Sequence, residues 1–528
     1  MNFKINTLSK LLVCISVGSS IPLIGQAEPL TLGFGGAVTT IDPHFYSTGP
    51  NNSVSKHIFE MLTRTTSNLD LEPALAKSWR AIDDLTWEFK LRDGVVWHNG
   101  NPFSAEDVAF TLTRAKNVPN SPGGFSGYLK SISKVDVVDP LTIRIHTFKP
   151  NPNLPRDMAF VAIVSKAVGE NATTEDYNSG KAAIGTGPYI FSSYTPGEKI
   201  ELTRNDNWWG EKQAWETVTI KLIANPGARM AALLSGGVDV IDAVPASDLP
   251  RLKDNKEVSI SSIDSVRVIF LHPDFSRDGE VPGVTDMEGK PLAKNPFRDL
   301  RVRRALSVAI NREGLADRVM QNTAVPTGQW LPKGNYSYAD SIQPPKYDVA
   351  LAKKLLAEAG YPNGFSLTLM SPNDRYPNDA ITAQAIASMW ARAGIKTNVD
   401  AIPWSSYTVR RAKQDFGISL IGWGSGTGEA GQLLTNVLGT YQPEKGIGAA
   451  NGGRYSNEEV DSLREKALST IDDSDREKLL IKATEVAMND VGIIPLYMLR
   501  NYWGLRKGLT FDPRKDEHTL ATAVKLEE

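Results

Sequence analysis

Residues 85–110 read LTWEFKLRDGVVWHNGNPFSAEDVAF. Leu85, Trp87, Phe89 and Leu91 alternate with Thr86, Glu88 and Lys90, the period of a half-buried strand. Asp93-Gly94 and Asn99-Gly100 then offer tight turns, where a positive φ is cheap. Ser104 follows as an N-cap with Asp107 three residues on, and Val108, Phe110 and Leu112 carry a helix forward. Strand, turn and capped helix in one short run point to mixed α/β structure.

The same grammar continues in both directions. Residues 348–359 are amphipathic, with Leu351, Leu355, Leu356 and Ala359 on one face. Gly360 ends that helix and Pro362 follows. Residues 380–393 form a second helix stopped by Gly394, and 395–402 return as a strand. Residues 457–469 and 475–488 read as a helical pair. This recurring helix-then-strand order favours mixed α/β lobes. No repeat or low-complexity tract interrupts it, and 528 residues predict two or three domains. Polar Pro/Gly stretches near 117–124, 273–295 and 337–345 are candidate boundaries, or surface loops inside one lobe.

At the N-terminus, Lys4 and Lys10 precede an apolar run reaching Ile24, and Gly25-Gln26-Ala27 places small residues at −3 and −1. That order reads as a cleavable signal peptide over 1–27, too short and too rich in Gly and Ser for a membrane anchor of ~20 residues. The single cysteine, Cys14, lies inside it, so the mature chain is expected to hold no disulfide, thiol nucleophile or thiolate metal site. Basic residues number 58 and acidic residues 60; without Lys4 and Lys10 the balance is −4. So mild and mixed a charge argues against nucleic acid or an anionic membrane as partner. His44, His57, His98, His146, His272 and His518 show no i, i+3 or i+4 pairing, so no metal site and no cofactor are expected. There is no Gly-x-Ser-x-Gly elbow, HExxH or P-loop; Asp83-Asp84 is the carboxylate pair a hydrolase reading would use.

Several runs carry a resemblance. They are Ala76-Lys77-Ser78-Trp79, Trp87 to Val95, Trp97-His98-Asn99-Gly100 and Phe103 to Val108. Further on come Gly185-Thr186-Gly187-Pro188-Tyr189 with Trp208-Trp209, then Asn295-Pro296-Phe297 to Arg312, then Ala352 to Tyr361, and Gly422-Trp423. In this order the sequence resembles the family 5 extracellular solute-binding proteins, the peptide- and nickel-type periplasmic proteins of ABC importers. The resemblance implies a two-lobed periplasmic-binding-protein-like fold (type II, large cluster with an extra domain). Residues 28–70, 185–271 and 489–528 would form lobe I, with 71–184 as its extra domain and 272–488 as lobe II. It implies a monomer that closes on a peptide or peptide-like molecule, delivers it to ABC permease subunits, and is not an enzyme. An opine-like compound, amino-acid conjugate, acidic sugar-like compound, chelated metal or haem is the alternative ligand; a chaperone or hydrolase is the alternative class. Most motif residues read as structural. Gly185 and Gly187 fit a close backbone crossing, and Arg301, Arg303 and Arg304 fit braces on a helix.

Candidate ligand residues are Trp423, Trp404, Tyr407, Arg375, Glu429, Gly426, Tyr46 and Trp330. Trp404, Tyr407 and Trp423 fall at the ends of expected strands, where open α/β sheets place ligands; lobe core is the alternative, and the cleft is preferred for Trp423. Arg375 precedes the 380–393 helix, where a guanidinium suits a carboxylate. In peptide-binding members of the family an aspartate shortly after Gly-Trp captures the peptide ammonium. The matching position here is Gly426, with Glu429 the nearest carboxylate, which argues against a plain peptide ligand.

Overall fold

The computed structural model describes residues 29–527; the expected leader, with Cys14 and the Ala27 cleavage point, lies outside the described residues. Among the described residues no helix is long and apolar enough to cross a membrane.

Thr86–Leu91 forms the expected strand, inside an antiparallel sheet ordered Ala76–Asp83, Thr86–Leu91, Thr142–Thr147, Ile132–Asp139. Its alternation hides one surprise. Glu88, on the polar phase, is only 3 % exposed. Arg80 at 3.1 Å and Arg144 at 3.0 Å, from the strands on either side, fold over its carboxylate and draw its pKa below the usual range. Phe89, Trp97, Val108 and Ile143 build the core of this unit. The helix Ala105–Arg114 packs here, and Asp107 accepts the Ser104 backbone N–H at 3.0 Å.

The rest of the chain is organised by one mixed sheet, twelve strands among the described residues. On one flank Pro29–Phe34 runs parallel to both Thr217–Leu222 and Val240–Ile241. On the other, Phe365–Pro372 runs parallel to Ile395–Ile402 and meets Ile418–Gly424. Two long strands, Val258–Pro273 and Ile494–Arg506, lie between the flanks and belong to both. Residues 258–264 pair with 500–506, and 267–273 pair with 418–424. The ladder slips between Asp264 and Val268, where the strand changes flank; such a slip bends a strand and adds twist. The two flanks have separate cores, Leu32, Tyr189, Ile220 and Trp503 on one side and Ile269, Leu369, Trp390 and Leu420 on the other. The molecule is thus a two-lobed α/β protein.

The remaining helices follow the sequence within two residues. Val349–Glu358 is capped by Asp348, which accepts the Leu351 N–H at 2.8 Å. Asp379–Arg392 precedes Ile395–Ile402, and Glu458–Ser469 precedes Asp473–Asn489. Arg303 reaches Asp490 at 2.5 Å and Arg301 reaches Asp299 at 2.6 Å, so both are braces as read. Gly185 and Gly187 press against the last turn of the helix Gly49–Ile58; a Cβ on Gly185 would stand 1.8 Å from the Ile58 carbonyl oxygen. His98 fixes this crossing: its Nδ1 accepts the Gly185 N–H at 3.2 Å and its Nε2 donates to the Gly187 carbonyl at 3.0 Å. Burial holds the ring neutral, with its pKa near 4.

Candidate functional site

A cavity of about 510 Å³ opens where the two flanks face each other across the shared strands. Phe34 and Asp242 line it from the first lobe, Arg375 and Tyr376 from the second, and Arg267 and Arg500 from the shared strands. Phe34 and Ile241 end neighbouring parallel strands, so their following loops converge at the carboxyl edge. Asp242 there accepts the Gly35 N–H at 2.7 Å. Burial pushes its carboxyl up to about 6, against the pull of that bond and of Arg229.

Two of the three arginines are paired. Arg500 binds Asp264 at 2.7 Å, and Arg267 meets Glu517 at 3.4 Å. Arg267 lies opposite Gly424 on the neighbouring strand, with its guanidinium over that glycine. Arg375 is different. It is exposed and makes no ion pair among the described residues. Its guanidinium carbon sits 5.2 Å from the Tyr376 ring centre and 5.5 Å from that of Trp404. Cation–π contact holds such a group in place and leaves its N–H donors free.

The Arg375 loop is tied to the neighbouring strand, because Tyr376 donates its hydroxyl to the Gly422 carbonyl at 3.2 Å. A Cβ at Gly422 would stand 2.9 Å from the Tyr376 ring, so glycine is what allows that approach. Trp423 lies inside the strand Ile418–Gly424, partly exposed, and its buried indole N–H has no partner among the described residues. Arg375 and Trp404 are therefore brought together at Tyr376, whereas Trp423 points from the opposite face of its strand toward Val268 and Trp330.

Of the candidates read from the sequence, Arg375 lines this cavity and the other seven do not. Tyr407 is fully buried: it stacks under Trp404 at 5.1 Å and donates to the Leu420 carbonyl at 2.8 Å, so the helix Trp404–Ala412 turns it into the core. Trp330 is also core, packed with Val268, Phe270 and Met498. Glu429 does not offer a free carboxylate. It is buried, accepts the Gly431 N–H at 2.8 Å, and pairs with the equally buried Arg476 at 2.8 Å. Gly426 sits in the turn above it, facing the Phe160 ring. Tyr46 lies outside the cavity wall, on the loop before the helix Gly49–Ile58, bridged to Gly123. Phe34, Asp242, Arg267 and Glu517 line the cavity without being sequence candidates. The parallel-strand ends at Phe34 and Ile241 were the available signal.

Arg476 also donates to the Asn153 Oδ1 at 2.6 Å, and Arg156 donates to the Thr427 carbonyl at 3.3 Å, which joins the loop 425–429 to residues 153–160. Asp157 lies in this joint. Burial pushes its pKa from 3.8 up to about 7, and the neighbouring Glu429 charge adds to the rise. The folded state then holds the Asp157 proton more tightly than the unfolded chain. Its contribution is fully present below pH 3.8 and is lost as pH rises through about 7. Asp157→Asn should therefore match the wild type in thermal unfolding near pH 4. At pH 8 it should exceed it, by on the order of 2 kcal/mol after solvent screening. Equal curves at both pH values would contradict this.

Two lobes sharing their central strands, with a cleft between them, define a hinged solute-binding protein. The chain belongs to the bacterial extracellular solute-binding proteins, family 5, whose middle-region profile matches residues 70–444. Among curated relatives, Heme-binding protein A of Haemophilus influenzae is 29% identical over 473 residues, covering 84% of this chain and 82% of that one. The Dipeptide-binding protein of Escherichia coli is 26% identical over 510 residues, covering 91% and 90%. The solved structure of HbpA2 from Haemophilus parasuis superposes with a TM-score of 0.82 at 25% identity, over 95% of this chain and all of that one.

Proposed function

We propose that this protein is the exported, periplasmic capture component of an ABC importer, and that its cargo is a small peptide-like molecule bearing a carboxylate. One observation carries the cargo assignment: Arg375, exposed and without a counter-charge, held by two aromatic rings at the mouth of the interlobe cavity. A free guanidinium is a bidentate receptor for a carboxylate, and the Trp404 ring beside it supplies stacking area. Glu429 is taken by Arg476, and the cavity carboxylates Asp242 and Glu517 already face Arg229 and Arg267, which argues against ordinary dipeptides as principal cargo. Cargo binding draws 272–488 onto the lobe built from 28–70, 185–271 and 489–528, with 71–184 riding on the latter and the 264–268 slip as hinge. A ligand closes such a hinge only by binding the closed state more tightly. The role is binding, without turnover, and Asp83-Asp84 fits this, since it sits in an exposed hairpin turn.

The test is mass spectrometry of what co-purifies with gently prepared protein, followed by calorimetry with that compound. Arg375→Ala should weaken it about 10- to 100-fold, the range of a charge-assisted hydrogen bond. Tight binding of plain dipeptides, insensitive to Arg375, would overturn the assignment. Haem is the second reading, favoured by the Haemophilus influenzae relative's name; its propionates would meet the same arginine. Haem titration followed by visible absorbance separates the two.

A further inference from the structure

A second cavity, of about 760 Å³, lies between residues 56–74, the loop 208–213 and the segment 512–525, and shares no lining residue with the cleft. Most charges on its wall are satisfied. Arg64 pairs with Glu72 at 3.2 Å, and Arg514 pairs with Asp516 at 2.6 Å. Glu60 accepts the Trp209 indole N–H at 2.9 Å and faces Arg64. Glu211, Asp512 and Lys525 stand on the exposed rim.

One cation on the wall has no close partner. Lys56, in the last turn of the helix Gly49–Ile58, has no hydrogen-bond or ion-pair partner among the described residues, although it lines the cavity. Burial draws its amine down to about 8, with Asp516 pulling the other way, so it remains largely protonated at neutral pH. The indole N–H of Trp208 is buried and turned toward the Glu60 carboxyl, whose pKa it helps to lower. Lys56 is half-buried, so its ammonium is open to the cavity and free to meet an anion there. Phe59, Met61 and the paired Trp208 and Trp209 rings, 5.5 Å apart, give the wall a broad apolar share. An unpaired ammonium beside aromatic faces suits a flat apolar body carrying an anionic group.

We propose that this cavity is a second small-molecule site, independent of the cleft, which takes an aromatic carboxylate with its carboxylate on Lys56 and its ring against Trp208. Indole-3-acetate is the probe, titrated calorimetrically into the ligand-stripped mature chain. Saturable binding is expected, weakened about tenfold or more in Lys56→Met, and about tenfold weaker for the neutral analogue indole-3-ethanol. Hydrogen exchange on the wild type, which does not depend on any variant folding, should show probe-induced protection over 205–213 and 512–525. No saturable binding, equal affinity in Lys56→Met, or protection at 375–377 with loss in Arg375→Ala would overturn the proposal.

Discussion

Gly185→Ala is expected to leave little or no folded protein. The added methyl would stand 1.8 Å from the Ile58 carbonyl oxygen and 2.6 Å from its carbon, both main-chain atoms that no rotamer change can move. That carbonyl is itself engaged, accepting the Gly187 N–H at 2.9 Å, and the Gly185 N–H is held by His98. Relieving the overlap means separating the Gly185–Gly187 segment from the helix Gly49–Ile58. The loss should exceed about 4 kcal/mol, the range of severe backbone or packing conflicts. Gly127→Ala is the control. Nothing lies near its position, so the change should be neutral or stabilising by up to about 1 kcal/mol. Urea unfolding of both variants decides the matter, and near-wild-type stability for Gly185→Ala would contradict the geometry.

Arg476→Met is expected to destabilise by about 3–5 kcal/mol, because it strands the Glu429 carboxylate without its counter-charge. Both side chains are at most 1 % exposed and lie 2.8 Å apart, so water cannot take the missing place cheaply. The double variant Arg476→Met, Glu429→Gln should recover most of the loss, since removing both charges removes the cost of burying one alone. Chemical unfolding of the four proteins gives the coupling directly. Additive losses would mean the pair is not coupled. The same series tests the cleft reading: Glu429→Gln should alter cargo affinity little, whereas selective loss of peptide binding would restore this carboxylate as an ammonium receptor.

Local structure was legible where one residue's neighbours in sequence are also its neighbours in space. Ile395–Ile402 and the Ser104–Asp107 cap were readable from residue pattern and capping chemistry alone. The site was less legible because its parts meet across long separations. Gly35 and Asp242 bond over 207 positions, and Arg267 and Glu517 over 250. Periodicity carries no information about such pairs. Tyr407 and Glu429 misled for a related reason. An aromatic after a strand, or a carboxylate in a Gly-rich loop, looks the same in sequence whether it faces a ligand or a buried partner, here the Leu420 carbonyl and Arg476.

The position of Pro29–Phe34 also sets an order of events. This first described strand needs Thr217–Leu222 on one side and Val240–Ile241 on the other, and the latter needs Ile494–Arg506. Synthesis therefore delivers the opening strand long before the strand that completes its surroundings. Until residue 506 has been made, the first lobe has an unfinished sheet and the joint between lobes is missing a member. Pairings so distant require a large loop-closure entropy before any contact repays it, which makes folding slow. A nascent chain of this design stays open through most of its own translation, a state that the export proposed above would use.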